Sequence, residues 1–474
     1  MKRIFLPFTV MLSVVVLLTS CLDDDDSKTV YPSDAAIMNF TLGTLNCYNT
    51  VKSSTGADST YKKTIVGSNY KFYIDQINRT IYNPDSLPYG TDVAHVVCTI
   101  TSKNSGNIVI KNIDSDTLKY YNSSDSINFT VPRQISVLSL DGTNRVDYTV
   151  SVNVHHEIAD TFLWNSVGSH TLFATARDMK ALQCGDRMLV FVDNGNYGTI
   201  CSSEIGDGEN WTVLGWNINM PIPASACRNV VEKGGYIYLY TSSMILRTAD
   251  GEVWEQTGQA ELDRLVAASS SRLYAIDEGG NIISTPDDGK TWETEALDSD
   301  IALLPTQNIS YCCIQSKVNP LNEYVVMTGN REPGSYYGDK QAQVWSKLID
   351  LSDTEKGDPW MYINPNDIDT LALPRLASLT TVKYDGKLFA AGSNGIGACT
   401  TEGFSRLYVS YDGGIYWNKS KGRVLPDGLE CGPVFTMAAD NRNYLWIFCS
   451  TSGQVWRGRL SGSSSTKERT SFTE

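Results

Sequence analysis

Thr285-Pro286-Asp287-Asp288-Gly289-Lys290-Thr291-Trp292 and Ser410-Tyr411-Asp412-Gly413-Gly414-Ile415-Tyr416-Trp417 share one spacing: a hydroxyl residue, then Asp, Gly and Trp at fixed offsets. Two shorter versions are Thr248-Ala249-Asp250-Gly251-Glu252-Val253-Trp254 and Ile205-Gly206-Asp207-Gly208-Glu209-Asn210-Trp211. A tight hairpin explains these residue types. Asp accepts hydrogen bonds from turn amides, and Gly takes a positive φ that side chains resist. Trp then packs a large apolar area between neighbouring sheets. The copies stand about 40 residues apart, or a multiple of that, which is the period of propeller blades.

Working outward, six units of this length follow from about Ile158. Their inner and second strands are expected at Met179–Leu182 with Arg187–Val192, Arg228–Val231 with Tyr236–Thr241, and Leu265–Ala268 with Leu273–Ile276. The other three are Ser310–Gln315 with Tyr324–Thr328, Thr380–Lys383 with Leu388–Ala391, and Val434–Ala438 with Tyr444–Cys449. A last strand near Val455-Trp456-Arg457 closes the ring. One sheet cannot bury both of its faces; a closed ring buries them and leaves few edges. The spacing favours six blades and leaves seven open.

Residues 31–157 read as a separate β-sandwich. Short β-like runs such as Tyr70–Asp75, His95–Ile100 and Asn107–Lys111 alternate with turn signals, and Asp141-Gly142 precedes an alternating strand, Asp147–Val154. That final hairpin resembles the closing hairpin of Ig-like domains. The fold class expected is therefore all-β: an Ig-like β-sandwich followed by a β-propeller of six blades over residues 158–462, with a disordered tail at 463–474.

The N-terminus carries an address. Met1-Lys2-Arg3 is basic, Ile4–Leu18 is uncharged and mostly apolar, and Leu18-Thr19-Ser20-Cys21 follows. The apolar run suits the h-region of a signal peptide and is short for a membrane span. Leu18–Cys21 resembles the lipobox of bacterial lipoproteins, which implies cleavage after residue 20 and acylation of Cys21. The acidic run Asp23–Asp26 acts as a solvated tether in residues 21–30. It resembles the export signal of Bacteroides-type surface lipoproteins, which implies an outer-membrane, cell-surface location.

Composition narrows the function. The chain has 474 residues, 41% hydrophobic and 19% charged, with a formal charge of −14. That charge argues against a nucleic-acid partner. The four histidines are His95, His155, His156 and His170. Imidazole-dependent nucleophiles and metal sites are thus excluded from the C-terminal two thirds, and no metal or cofactor is expected. Of the eleven cysteines, ten remain after Cys21. Their spacing supports no disulfide framework, and Cys98, Cys227 and Cys449 read as small buried apolar residues.

The Ser/Thr-x-Asp-x-Gly-x-x-Trp pattern resembles the Asp-box of sialidases, sorting receptors and non-catalytic propellers. The resemblance implies a structural role on the outer rim for Asp287, Gly289, Trp292, Asp412, Gly414 and Trp417. Ligands of such propellers bind in the central funnel. Counting strands places Arg177, Arg228, Arg264, Arg375 and Glu430 just before inner strands, with Tyr311 inside the fourth. Converging arginines suit a carboxylated sugar; the alternative is that they pair with local acids such as Asp178 and Asp263. Tyr336 and Tyr337, in the long loop Arg331–Gln343, are candidate sugar-stacking platforms beside the loop Gly392–Arg406. The Arg-Ile-Pro entry motif of sialidases is missing at Thr175–Met179. The whole chain resembles a family of surface lipoproteins of gut Bacteroides. The function expected is a lipid-anchored, non-catalytic protein binding a glycan or protein ligand at the funnel; the alternative is a divergent sialidase-like glycoside hydrolase. Asp-Ser/Thr-apolar triplets at Asp85, Asp116, Asp125 and Asp369 resemble the acceptor of Bacteroides-type O-glycosylation.

Overall fold

The computed structural model describes residues 31–52, 58–158, 161–316, 318–352, 357–364, 371–419 and 424–461. Cys21 and the segments expected to form the leader, the acidic tether and the C-terminal tail lie outside the described residues. The chain divides into two compact units, split between residues 159 and 160.

The described part of the first unit consists of strands joined by turns and loops, with two short 3-10 segments at Gly67–Asn69 and Lys103–Ser105. One sheet has three strands, Ile37–Leu42, Val96–Ser102 and Ser126–Ile127. A second has six, in the order Tyr73–Asp75, Thr80–Tyr82, Arg145–Ser151, Arg133–Leu138, Asn107–Lys111 and Leu118–Tyr120. Thr44–Lys52 and Asp58–Val66 form a separate two-stranded ribbon. Alternation explains the core: Phe40, Leu42, Val96, Cys98, Ile135, Val137, Tyr148 and Val150 point inward and are buried. The turn at Asp141-Gly142 does join two antiparallel strands, whereas Thr80–Tyr82 pairs with Arg145–Ser151 in parallel.

Among the described residues, the second unit forms six four-stranded sheets. Sheet 1 is Asp178–Cys184, Arg187–Asp193, Gly198–Glu204 and Thr212–Leu214. Sheet 2 is Val230–Lys233, Tyr236–Thr241, Met244–Thr248 and Trp254–Gln259. Sheet 3 is Arg264–Ala268, Leu273–Ile276, Ile282–Thr285 and Glu293–Thr294. Sheet 4 is Gln307–Gln315, Asn322–Asn330, Gln343–Asp350 and Met361–Tyr362. Sheet 5 is Thr380–Tyr384, Lys387–Ala391, Tyr408–Ser410 and Asn418–Lys419. Sheet 6 takes Phe435–Ala439, Leu445–Cys449 and Gln454–Leu460 from the end of this unit, and its fourth strand, Phe162–Ser169, from the unit's beginning. The first strands neighbour one another in cyclic order, sheet 6 returning to sheet 1.

The four Asp-containing turns adopt one geometry. In sheet 3 the Asp287 carboxylate accepts from the amides of Lys290 and Thr291 at 3.1 and 2.9 Å, and the Thr285 hydroxyl accepts from the Gly289 amide at 3.0 Å. The Trp292 indole donates to the Gly289 carbonyl at 3.2 Å. Sheet 5 repeats this with Asp412, Ser410 and Trp417, and sheet 2 with Asp250, Thr248 and Trp254. In sheet 1 the hydroxyl comes from Ser203, outside the shorter motif as quoted.

Each turn presses its glycine onto the preceding sheet. Gly289 has φ +96°, and a Cβ there would stand 2.7 Å from Ile245 of sheet 2. At Gly414, φ +98°, it would meet Val326 and Val344 of sheet 4. The tryptophans follow into the same seams, Trp254 and Trp417 almost completely buried. Among the described residues, sheets 4 and 6 show no such turn. In sheet 4 the longer connection delivers Trp360, which packs edge-on against Tyr274 of sheet 3 at 5.3 Å. A buried ion pair, Lys347 to Glu295 at 2.8 Å, bridges the same seam. In sheet 6 the closing strand supplies Phe162, packed on Tyr384 and Phe389 of sheet 5.

One expectation is corrected. Cys449 is not a free apolar thiol: it forms a disulfide with Cys431, 18 residues earlier. The antiparallel fold brings the approach to the first strand of sheet 6 beside the end of its second strand, a proximity that linear spacing conceals. Cys98 and Cys227 are buried free thiols.

Trp417→Ala should destabilise the second unit by about 3–5 kcal/mol, as large-to-small changes in cores do. Gly289→Ala should lose about 2 kcal/mol through strain and overpacking. Urea denaturation followed by circular dichroism checks both. Burial alone would push the Asp287 carboxyl up, but the Thr291 amide and the Thr285 and Thr291 hydroxyls hold it down, from 3.8 to about 2. Its stabilisation is therefore complete above pH 3.8 and is lost as pH falls towards 2. Asp287→Asn should show a shallower loss of stability across that window in acid titration.

Candidate functional site

Ring closure leaves a central channel lined by the first strand of every sheet, with a volume of about 1090 Å³. The inner edge of a first strand has no further strand beside it, so its polar groups and alternate side chains face this space. The charged residues of the lining are Lys180, Arg228, Lys233, Arg264 and Lys383 against Asp178, Asp186 and Glu232. Positive charge thus exceeds negative inside a protein of formal charge −14.

Three of the expected funnel residues do line the channel: Arg228, Arg264 and Tyr311. Arg228 sits in a 3-10 turn just before sheet 2, and its Nε meets Asp178 of sheet 1 at 2.7 Å. Arg264 opens sheet 3, pairs with Asp263 at 2.6 Å and donates to the Thr306 carbonyl at 2.6 Å. Both pairings with local acids are therefore present. Each arginine nonetheless keeps solvent-accessible surface, 60% for the Arg228 side chain and 26% for Arg264. Pairs this exposed contribute little to stability, and their remaining N–H groups are open to a ligand.

Tyr311 reaches across from sheet 4 to sheet 2. Its hydroxyl accepts from the Glu232 amide at 2.7 Å and donates to the Glu232 carbonyl at 2.8 Å. The ring thereby forms a fixed partition within the channel, and burial raises its hydroxyl pKa well above the usual value. Lys180, in the first strand of sheet 1, holds its ammonium 5.7 Å from the centre of that ring. Burial lowers its pKa to about 8. At the far end, Lys233 is tied to Asp288 at 2.7 Å and the Glu232 carboxylate accepts from the Gly235 amide at 2.8 Å.

The other expected site residues lie outside the channel lining. Arg177 is exposed and its guanidinium crosses Gly195. Glu430 is exposed, held by its backbone to Gln454 and Ser452. Arg375 is fully buried; its guanidinium donates to the carbonyls of Tyr336 and Arg331. Counting forward from strand starts placed it on the rim, but the chain dips inward there to knit two loops together. The Ala398 amide completes that join by donating to the Tyr337 carbonyl at 2.9 Å. Tyr336 lies under the Arg331 guanidinium, 3.7 Å from its ring centre, so one face is covered. Tyr337 is 66% exposed. Lys180 was missed, because an alternating strand contains a charged residue every few positions and only ring closure makes this one internal.

The chain resembles several solved structures at low identity. A Trichoderma reesei protein of Carbohydrate-Active Enzymes Family AA12 is 11% identical over 64% of this chain and 97% of its own, with a TM-score of 0.37. The WD40 domain of Toxoplasma gondii coronin is 10% identical over 64% of this chain and 88% of its own, with a TM-score of 0.34. The GH74 xyloglucanase of Xanthomonas campestris is 12% identical over 91% of this chain and 60% of its own, with a TM-score of 0.30. No curated protein matches the sequence. Family models match in two places: residues 40–152 match the DUF6242 N-terminal domain, and residues 158–468 match the DUF6242 beta propeller domain. With two thirds of its length under the second match, the chain belongs to the DUF6242 family, its N-terminal domain followed by its β-propeller.

Proposed function

We propose that this is a non-catalytic, lipid-anchored surface protein that binds an anionic glycan in the funnel of a six-bladed propeller. Each four-stranded sheet is one blade, and the Asp turns are Asp-boxes that seal the seams. The first unit is an Ig-like spacer. Cys21 carries the lipid, and Asp23–Asp26 directs the protein to the outer face of the outer membrane. The observation that carries the binding reading is the channel: about 1090 Å³, an excess of positive charge, and two arginines at one mouth with free donors. Guanidinium groups bind carboxylates in a planar fork.

A hydrolase needs two carboxylates free to face the scissile bond. Asp178 is bound to Arg228 and Glu232 to its own turn amide, which favours binding over turnover. A glycan array probed with the full chain should show acidic glycans retained. Arg228→Ala and Arg264→Ala should each weaken that signal on the order of tenfold, the value of one lost charged contact. Unchanged binding in both variants would sink the funnel reading, and release of fluorophore from aryl glycosides would favour the hydrolase.

A further inference from the structure

Lys180 stands apart from the other cations of the channel. Arg228 and Arg264 each have a carboxylate partner, as does Lys233. Lys383 is exposed at the end of its strand. Lys180 is half-buried in the channel wall and has the Tyr311 ring as its neighbour, with no carboxylate in salt-bridge contact among the described residues. An ammonium drawn partly out of water without a carboxylate beside it is unfavourable. The remaining lining is rich in hydroxyl and amide groups, including Gln307, Ser310, Thr380 and Thr436. A cation beside such groups, in a space far larger than one inorganic ion, matches a carboxylated polyol.

We propose that Lys180 is the charge partner of a monosaccharide carboxylate held against the Tyr311 ring, admitted through the mouth flanked by Arg228 and Arg264. The assignment rests on the funnel-binding reading and names its ligand class and its anchor. Two consequences follow from the partial burial of this charge. The empty protein is destabilised by Lys180 at neutral pH, and this penalty is complete below about pH 8 and fades as pH rises to the ordinary lysine value of 10.5. Ligand affinity falls as pH rises through that same range, because the ammonium is lost while the carboxylate stays ionised.

The groups that face Lys180 are Asp178 on its own strand, Cys227 and Arg228 before sheet 2, Glu232 in sheet 2, Tyr311 and Cys312 in sheet 4, and Lys383 in sheet 5. Sheet 3 contributes Arg264 at the mouth, and the strand of sheet 6 contributes no ionisable side chain to the lining. The thiols Cys227 and Cys312 are pushed up by burial and stay neutral across the range.

Isothermal titration calorimetry of the full chain with D-glucuronate, and with glucose as the neutral control, tests the assignment. Glucuronate should bind and glucose should bind at least about tenfold more weakly. Lys180→Met should weaken glucuronate by on the order of tenfold or more while raising the thermal midpoint of the empty protein. That rise shows the variant is folded, so lost binding cannot be charged to unfolding. Equal affinity for the two sugars, absence of glucuronate binding, or an unchanged constant in Lys180→Met would overturn the role of Lys180. If array binding still depends on Arg228 and Arg264 while Lys180→Met binds normally, the Lys180 assignment falls and the funnel reading stands.

Discussion

A four-stranded sheet with apolar residues on both faces has no stable existence alone, and this constraint organises the whole second unit. Each sheet must be covered on both sides by another sheet, and a ring satisfies every sheet at once. What varies is how each seam is filled. Four seams are closed by an Asp turn that pushes a glycine against the preceding sheet and drops a tryptophan beside it. The two sheets that lack the turn, 4 and 6, fill their seams by other means: Trp360 with the Lys347–Glu295 pair, and Phe162 from the closing strand. For sheet 6 the absence has a topological cause. Its third and fourth strands come from opposite ends of the second unit, so no turn can join them.

Closure creates the channel as a by-product, and the channel inherits its chemistry from strand alternation. Residues that would face solvent in an open sheet are gathered around one axis. Most of the resulting charges are neutralised locally, Arg228 by Asp178 and Lys233 by Asp288. Tyr311 uses its hydroxyl to satisfy both backbone groups of Glu232, which fixes the ring across the space. Lys180 is the exception: half-buried in the channel wall, it has no carboxylate in salt-bridge contact among the described residues.

Local rules made the turns legible. Hydroxyl, Asp, Gly and Trp at fixed offsets state their own hydrogen bonds, and the paired strands were found by alternation around tight turn residues. Features that depend on distant parts of the chain were not legible. The fourth strand of the last sheet, Phe162–Ser169, has no local mark of pairing with Gln454–Leu460. The Cys431–Cys449 bond joins residues that read as unrelated. Arg375 looks like Arg228 and Arg264 in sequence, each preceding an inner strand, yet it is buried beneath two loops while they face the channel. Distinguishing them requires the path of the loops, which no residue type encodes.

A closed ring requires the two ends of the second unit to meet in sheet 6, where Leu163 stands opposite Arg459. Leu163→Cys combined with Arg459→Cys, oxidised at low protein concentration and mapped by mass spectrometry, tests that meeting directly. A cross-link within one molecule between positions 163 and 459, accompanied by a higher denaturation midpoint, is the predicted result. Cross-linking only between molecules, or none, would contradict a closed ring.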